Sequence, residues 1–263
     1  MRAPYQCGDF GFPIKYGYSN VGLVEQGPPD LLGKSVFCLY PHQDLYAVPA
    51  SALAVLPKGV PASRAVLGPN METALNVIWD SGLAAGDRVA VIGCGVVGAL
   101  AAYLAARVPG TNVVIVDVQP GRRRIAETFG CRFAFPDASL QNCDVVIHTS
   151  ASSAGLETSI ACAGAEATIV EASWYGSEAA VVGLGGTFHS QRLKLISSQV
   201  GRLNAARLPR WTLRRRLEAA LSLLADDRLD VLVSGETPFA EAERTYASLL
   251  ADPATLCHRF RYS

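Results

Sequence analysis

The chain has 263 residues, half of them hydrophobic and 17% charged, which supplies a sizeable core and excludes a disordered chain. Its 23 Lys plus Arg balance its 23 Asp plus Glu. With no net field to recruit nucleic acid or an anionic membrane, neither is expected as a partner. Seven cysteines, odd in number and without a C-x-x-C pair, include several inside apolar runs, and the opening MRAPYQCGDF has no apolar run of the signal-peptide kind. The expectation is a reduced, cytoplasmic protein.

Residues 1–65 are rich in Gly, Pro and aromatics. The short apolar runs YSNVGLVEQ, SVFCLY, LYAVPA and ALAVLP predict short antiparallel strands joined by turns such as QGPPD. Met71, Leu75, Ile78 and Trp79 have helical spacing and predict a helix over 70–82, with Asn70 as candidate N-cap and Gly82 as stop. The rhythm then changes. RVAVIG reads as a buried strand, VVGALAAYLAARV as a helix, NVVIVDV as a second buried strand, and GRRRIAETFG as a helix closed by Gly130. DVVIHTS (144–150), ATIVEASW (167–174) and LKLISSQV (193–200) read as further buried strands, with SAGLETSIACAG as a short helix between the first two. Continuous apolar strands alternating with helices indicate a parallel sheet covered on both faces. The tail carries two predicted helices, LRRRLEAALSLLAD and PFAEAERTYASLLAD, and a last strand, LCHRFRY. The basic cluster RWTLRRR (210–216) reads as a solvated helix face.

The stretch DRVAVIGCGVVGALAAYLAARV (87–108) holds eighteen uncharged residues between Arg88 and Arg107, long enough to raise a membrane span. Its glycines decide otherwise. Gly93, Gly95 and Gly98 follow a strand and open a helix: the first serves a tight bend, the second close approach of a diphosphate, the third packing of helix on strand. Val96 and Val97 lie in the same turn, where free N–H groups and the helix dipole meet phosphate. The next strand ends in Asp117, nineteen residues after Gly98, where an acid meets the adenosine ribose. A carboxylate there repels a 2′-phosphate and favours NAD over NADP. Arg122, Arg123 and Arg124 keep NADP open, because a guanidinium can hold that phosphate. His148, Thr149 and Ser150 end a parallel strand and are expected to line the cofactor pocket, with Trp174 and Tyr175 following the next strand.

This order of elements resembles the medium-chain dehydrogenase/reductase superfamily, in its zinc-type alcohol dehydrogenase branch. METALNVIWDSGLAAGDRVAVIGCGVVG, Asp117 with Arg122, YGYSNVGLVEQG, VFCLYPHQDLYAVPASALAVLP and SQRLKLISSQVGR carry the likeness, most specifically over 84–122. It implies an α/β fold: a Rossmann doubly wound parallel sheet over 67–202, plus an incomplete GroES-like β-rich substrate domain built from 1–66 and 203–263. It also implies a homodimer joined through the edge strand of the cofactor domain, and sets Arg259 near the diphosphate. The family's first segment, with a cysteine ligand, has no counterpart here. Its zinc-binding GHE motif is matched by Gly17-Tyr18-Ser19, and its second cysteine falls near Gly68-Pro69-Asn70. The lobe of four cysteines is absent, and the four histidines (42, 148, 189, 258) form no ligand-spaced motif, so zinc is not expected.

The resemblance implies an NAD-dependent oxidoreductase that transfers hydride between nicotinamide and a small alcohol or carbonyl substrate, and the departures from it lead to the expectation that it works without catalytic zinc. A hydrogen-bond donor or proton relay must replace the metal. The candidates are Tyr18, in place of the zinc-binding histidine, His42 as a relay, and Glu72 at the start of the helix. Each has a plainer reading: a locally satisfied tyrosine, a loop histidine, and a carboxylate complementing a helix dipole. The alternatives are a non-catalytic NAD-binding relative, a fragment of a longer dehydrogenase, and a zinc-free quinone-reductase-like enzyme, which Asp117 disfavours. No Gly-x-Ser-x-Gly elbow supports a hydrolase.

Overall fold

The computed structural model describes residues 3–8 and 14–262. Met1, Arg2, residues 9–13 and Ser263 lie outside it, and with them part of the MRAPYQCGDF stretch. The chain divides into two compact units, 1–72 with 212–263 and 73–211. The boundaries expected from the sequence were 66/67 and 202/203. Among the described residues no helix is long and apolar enough to cross a membrane.

The first unit opens with β1 (Asn20–Leu23), β2 (Ser35–Cys38) and β3 (Ala54–Val55), an antiparallel sheet in that order. Its inward residues are Val36, Phe37 and Ala54. LYAVPA, expected as a strand, is irregular. Tyr46 there stacks on Tyr40 at 3.7 Å and donates to Asn20, and Pro49 has no N–H to give a ladder. A short α1 (Ala62–Ala65) precedes α2 (Gly68–Ser81), which crosses into the second unit. Helix α2 begins two residues before Asn70, so Asn70 is not its cap. Pro69 needs no N–H in a first turn, and Gly68 passes close to Phe37 and Leu221. It stops at Gly82, whose φ is +69°.

The second unit is the parallel sheet. Strand β4 (Arg88–Ile92) leads into α3 (Val96–Ala105), β5 (Asn112–Val116), α4 (Arg123–Phe129), β6 (Arg132–Ala134), β7 (Cys143–His148), α5 (Ser153–Cys162), β8 (Ala163–Glu171), a turn of helix α6 (Thr187–Ser190), and β9 (Lys194–Ser197). All pairs are parallel, in the order β6-β5-β4-β7-β8-β9. This is the doubly wound arrangement in which the chain reverses direction between β4 and β7. Val89, Ala90, Val91 and Ile92 are buried on both faces of the sheet, which is why they form a continuous apolar run. Burial of each Val or Ile contributes roughly 2 kcal/mol. Beyond β9, Ser198 Oγ and Asn204 Nδ2 donate to Asp80 at 2.6 and 2.9 Å, tying that segment to the end of α2.

The chain returns to the first unit through α7 (Leu213–Leu223), β10 (Val233–Pro238), α8 (Ala242–Ala251) and β11 (Cys257–Arg261). β10 and β11 form a parallel pair. Helix α7 is capped by Thr212, whose hydroxyl accepts from Arg215 N. The 210–216 cluster is not wholly a solvated face. Helical spacing puts Arg216 on the inner side with Leu217, Ala220 and Leu221, and it is only 3% exposed. Arg64 is similarly buried, with Nε and one terminal nitrogen 2.7 Å from the two carboxylate oxygens of Asp230.

Candidate functional site

The site grows from the ends of β4, β5 and β7. After Ile92 the chain bends at Gly93, with φ +101°. A Cβ there would lie 2.9 Å from Ser150 N, so the bend both needs a left-handed residue and abuts the end of β7. A Cβ on Gly98 would lie 2.1 Å from Gly93 O, so only glycine lets α3 pack against the turn. Gly95 differs. It is exposed, and nothing lies within 4 Å of where its Cβ would stand. It caps α3 without a side-chain bond, leaving the N–H groups of half-buried Val96 and Val97 and of Gly98 without a helical partner. Open space, unpaired amides and a dipole end together fit a diphosphate.

Asp117 follows β5 directly. Its Oδ2 accepts from Cys94 N at 2.6 Å and its Oδ1 from Gln119 N at 2.8 Å. Each oxygen keeps a lone pair for a further donor such as a ribose hydroxyl. Arg122 is only 9% exposed, in the turn before α4. Burial pushes the Cys94 thiol up to about 12; Asp117 adds to the rise and Arg122 opposes it. Cys94 is thus a neutral packing group. Thr149 clips β7 to β4, its N–H donating to Ile92 O at 2.8 Å and its hydroxyl to Gly93 O at 2.9 Å.

The structure also brings Glu171, Ser152 and Ser173, which the sequence reading did not single out, to His148, Ser150 and Tyr175, which it did. His148 is fully buried between Glu171 and Ser150, with Ser152, Ser173 and Tyr175 around it. Burial raises the Glu171 carboxyl, but hydrogen bonds from His148 and Ser173 outweigh it and hold it below the usual range. The signal was an acid at the end of a buried strand, IVE, matched by a histidine at the end of its neighbour.

Tyr18, His42 and Glu72 belong to the first unit. Tyr18 is 43% exposed; desolvation and neighbouring Tyr16 and Cys257 raise its phenol, against a hydrogen bond with Asn70. His42 packs on Gly17 and lies 3.1 Å from Tyr262 OH, and burial lowers its pKa. Glu72 is 5% exposed and 3.1 Å from Arg216 Nε. Burial pushes its carboxyl up, against the pull of Arg216. Arg259 donates to Ser63 O and pairs with Glu236, both in the first unit. In the second unit, Trp174 is exposed. Among the described residues no three His, Cys, Asp or Glu side chains gather into a metal-binding group.

No family model matches the chain. It is 23% identical over 236 residues to a probable D-xylulose reductase A of Aspergillus niger, covering 86% of this chain and 66% of that protein. It is 26% identical over 208 residues to D-guloside 3-dehydrogenase of Escherichia coli, covering 74% and 59%. A thermostable alcohol dehydrogenase from Pyrobaculum aerophilum superposes with a TM-score of 0.74 at 19% identity, covering 93% of this chain and 82% of that one. These relatives point to the medium-chain dehydrogenase/reductase superfamily, at low identity. The likeness to solved dehydrogenase structures extends to the fold, a six-stranded parallel sheet with helices. Further solved structures of this fold contain bound NADP, NADH or NAD. The matches span 59–66% of these two curated relatives' lengths.

Proposed function

We propose that the chain is an oxidoreductase of the alcohol or polyol dehydrogenase kind that uses a nicotinamide dinucleotide, NAD in preference to NADP. One observation carries this reading: at the reversal between β4 and β7, an open Gly95 and the unpaired amides of α3 stand beside Asp117. When bound, the dinucleotide supplies the hydride acceptor or donor. The chain's part is to hold it: the first-turn N–H groups of α3 take the diphosphate, and Asp117 accepts from the ribose hydroxyls. Arg122 lies near enough to Cys94 to oppose the rise of its thiol, which sets a cation at the same end and keeps NADP as the secondary cofactor.

Among the described residues no metal ligands gather, and in this reading a hydrogen-bond donor polarises the substrate oxygen. Tyr18, protonated at neutral pH, is the candidate donor to the oxygen of a small alcohol, polyol or carbonyl compound. His42, kept neutral by burial, is the candidate proton relay. The substrate class is drawn from the sugar-derived names of the two relatives and from the alcohol dehydrogenase neighbour. We also propose a homodimer joined through β9, and a cytoplasmic site in keeping with seven free thiols. A second reading, a non-catalytic NAD-binding relative, is favoured by Glu72, whose pairing with Arg216 is structural.

Turnover separates the two. NADH formation is followed with NAD and a panel of alcohols and polyols. Turnover that falls at least tenfold in Tyr18→Phe supports the enzyme; NADH binding with no turnover on any member of the panel supports the second reading.

A further inference from the structure

The ends of β7 and β8 carry a chain of polar groups that the glycine turn leaves unexplained. His148 Nδ1 lies 2.7 Å from Glu171 Oε2, and its Nε2 lies 2.7 Å from Ser150 Oγ. Ser150 Oγ lies 3.0 Å from Ser152 Oγ, which accepts from Gly155 N. Tyr175 OH donates to Glu171 Oε2 at 3.0 Å, and Ser173 N to Glu171 Oε1 at 2.8 Å.

With a neutral His148 ring, the hydrogens of this chain have one consistent arrangement. An ionised carboxylate only accepts, so His148 Nδ1 carries a hydrogen toward Glu171. In the neutral ring Nε2 is then an acceptor, and Ser150 gives it the one hydroxyl hydrogen it has. Gly155 N occupies one lone pair of Ser152, whose own hydrogen goes to Ser150 Oγ. Both serine hydrogens are committed inside the protein, and what remains to offer a ligand is lone pairs.

The order serine, histidine, acid also suits a nucleophile, its base and an orienting group. Here it does not act that way. A base with zero exposure cannot reach a leaving group, and Ser150 Oγ is pressed on Gly155, where a Cβ would come within 2.0 Å of it.

We infer that His148 is a positioning residue that fixes the Ser150 hydroxyl as an acceptor-only group beside the glycine turn, so that the site selects a hydrogen-bond donor, a hydroxyl or a carboxamide, on the bound nucleotide. Ser150 is half-buried and its backbone abuts Gly93, the bend of that turn. The inference rests on the dinucleotide reading above. Protonation of His148 inverts the chain. Nε2–H then donates to Ser150 Oγ, and a serine hydrogen is turned out toward a ligand donor, which opposes binding. Among the described residues, Glu171 from β8 is the charged group facing the ring and Tyr175 the other titratable one; Ser150, Ser152, Ser173 and the Gly155 backbone complete its surroundings.

The test is NADH affinity by calorimetry from about pH 5.5 to about pH 8.5. Wild-type affinity is expected to fall roughly tenfold toward acid pH. His148→Gln is expected to show a flat profile. Ser150→Ala is expected to bind about fivefold more weakly at the alkaline end, also with a flat profile. Ser150→Ala removes no buried ring, so it stands alone if His148→Gln fails to fold. ADP-ribose, titrated in parallel, identifies the donor: the same pH dependence assigns a ribose hydroxyl, and its loss assigns the carboxamide. A flat wild-type profile, or equal profiles in wild type and Ser150→Ala, overturns the inference and leaves the dinucleotide reading standing. No NADH binding at any pH overturns both.

Discussion

At Gly95 and Gly98 the same substitution has opposite consequences. Gly98→Ala drives a Cβ onto Gly93 O and Thr149 Oγ1, at 2.1 and 2.4 Å, the first a backbone atom and the second a hydroxyl hydrogen-bonded to it. It is expected to cost roughly 2 kcal/mol or more of stability, read by chemical denaturation. Gly95→Ala meets nothing within 4 Å and has φ −70°, which alanine adopts freely, so stability is unchanged. The new methyl occupies the space kept for a diphosphate, and dinucleotide affinity is expected to fall at least tenfold. Asp117→Asn keeps the side chain's shape but removes the charge; loss of a charge-assisted bond is expected to weaken NADH about tenfold and narrow its preference over NADPH. Glu171 titrates in a defined window. Its folded carboxyl lies below the ordinary value of 4.5, so the stability it adds is present above that value and lost as pH falls through the lowered one. The gap in melting temperature between wild type and Glu171→Gln should therefore be widest above about pH 5 and close on further acidification.

At the scale of elements, what was legible followed from repeated local signals. The β4–α3 unit declared itself because its strand is buried on both faces and its turn carries three spaced glycines, of which Gly93 and Gly98 are required by the backbone and its packing. β6 was missed because its three residues, Arg132–Ala134, have no apolar run of their own; pairing with β5 makes it a strand. β10 was missed because VSGETP contains glycine and proline, and its ladder with β11 comes from far along the chain. The inward arginine of α7 was hidden in a run of three, where composition cannot tell which one faces Glu72. The same remoteness concealed the His148–Glu171 pair, since their adjacency depends on β7 lying beside β8. Arg216→Ala strands the Glu72 carboxylate with 5% exposure and is expected to cost roughly 3 kcal/mol, read by denaturant titration.

At the scale of the molecule, the parallel sheet ends in β9, a strand with β8 on one side and Leu195 substantially exposed. An unprotected apolar edge invites pairing with a second copy. Sedimentation velocity is expected to give a dimer for the wild type and a monomer for Leu195→Pro, which removes an N–H that faces away from β8 at that edge. The central claim is narrower: the reversal point of the sheet is a dinucleotide site. Calorimetric titration of wild type and Gly95→Ala with NADH tests it most directly. The account predicts one NADH per chain for the wild type, and at least tenfold weaker binding by a variant of unchanged melting temperature. A wild type that binds no NADH, or a Gly95→Ala variant that binds it equally well, contradicts it.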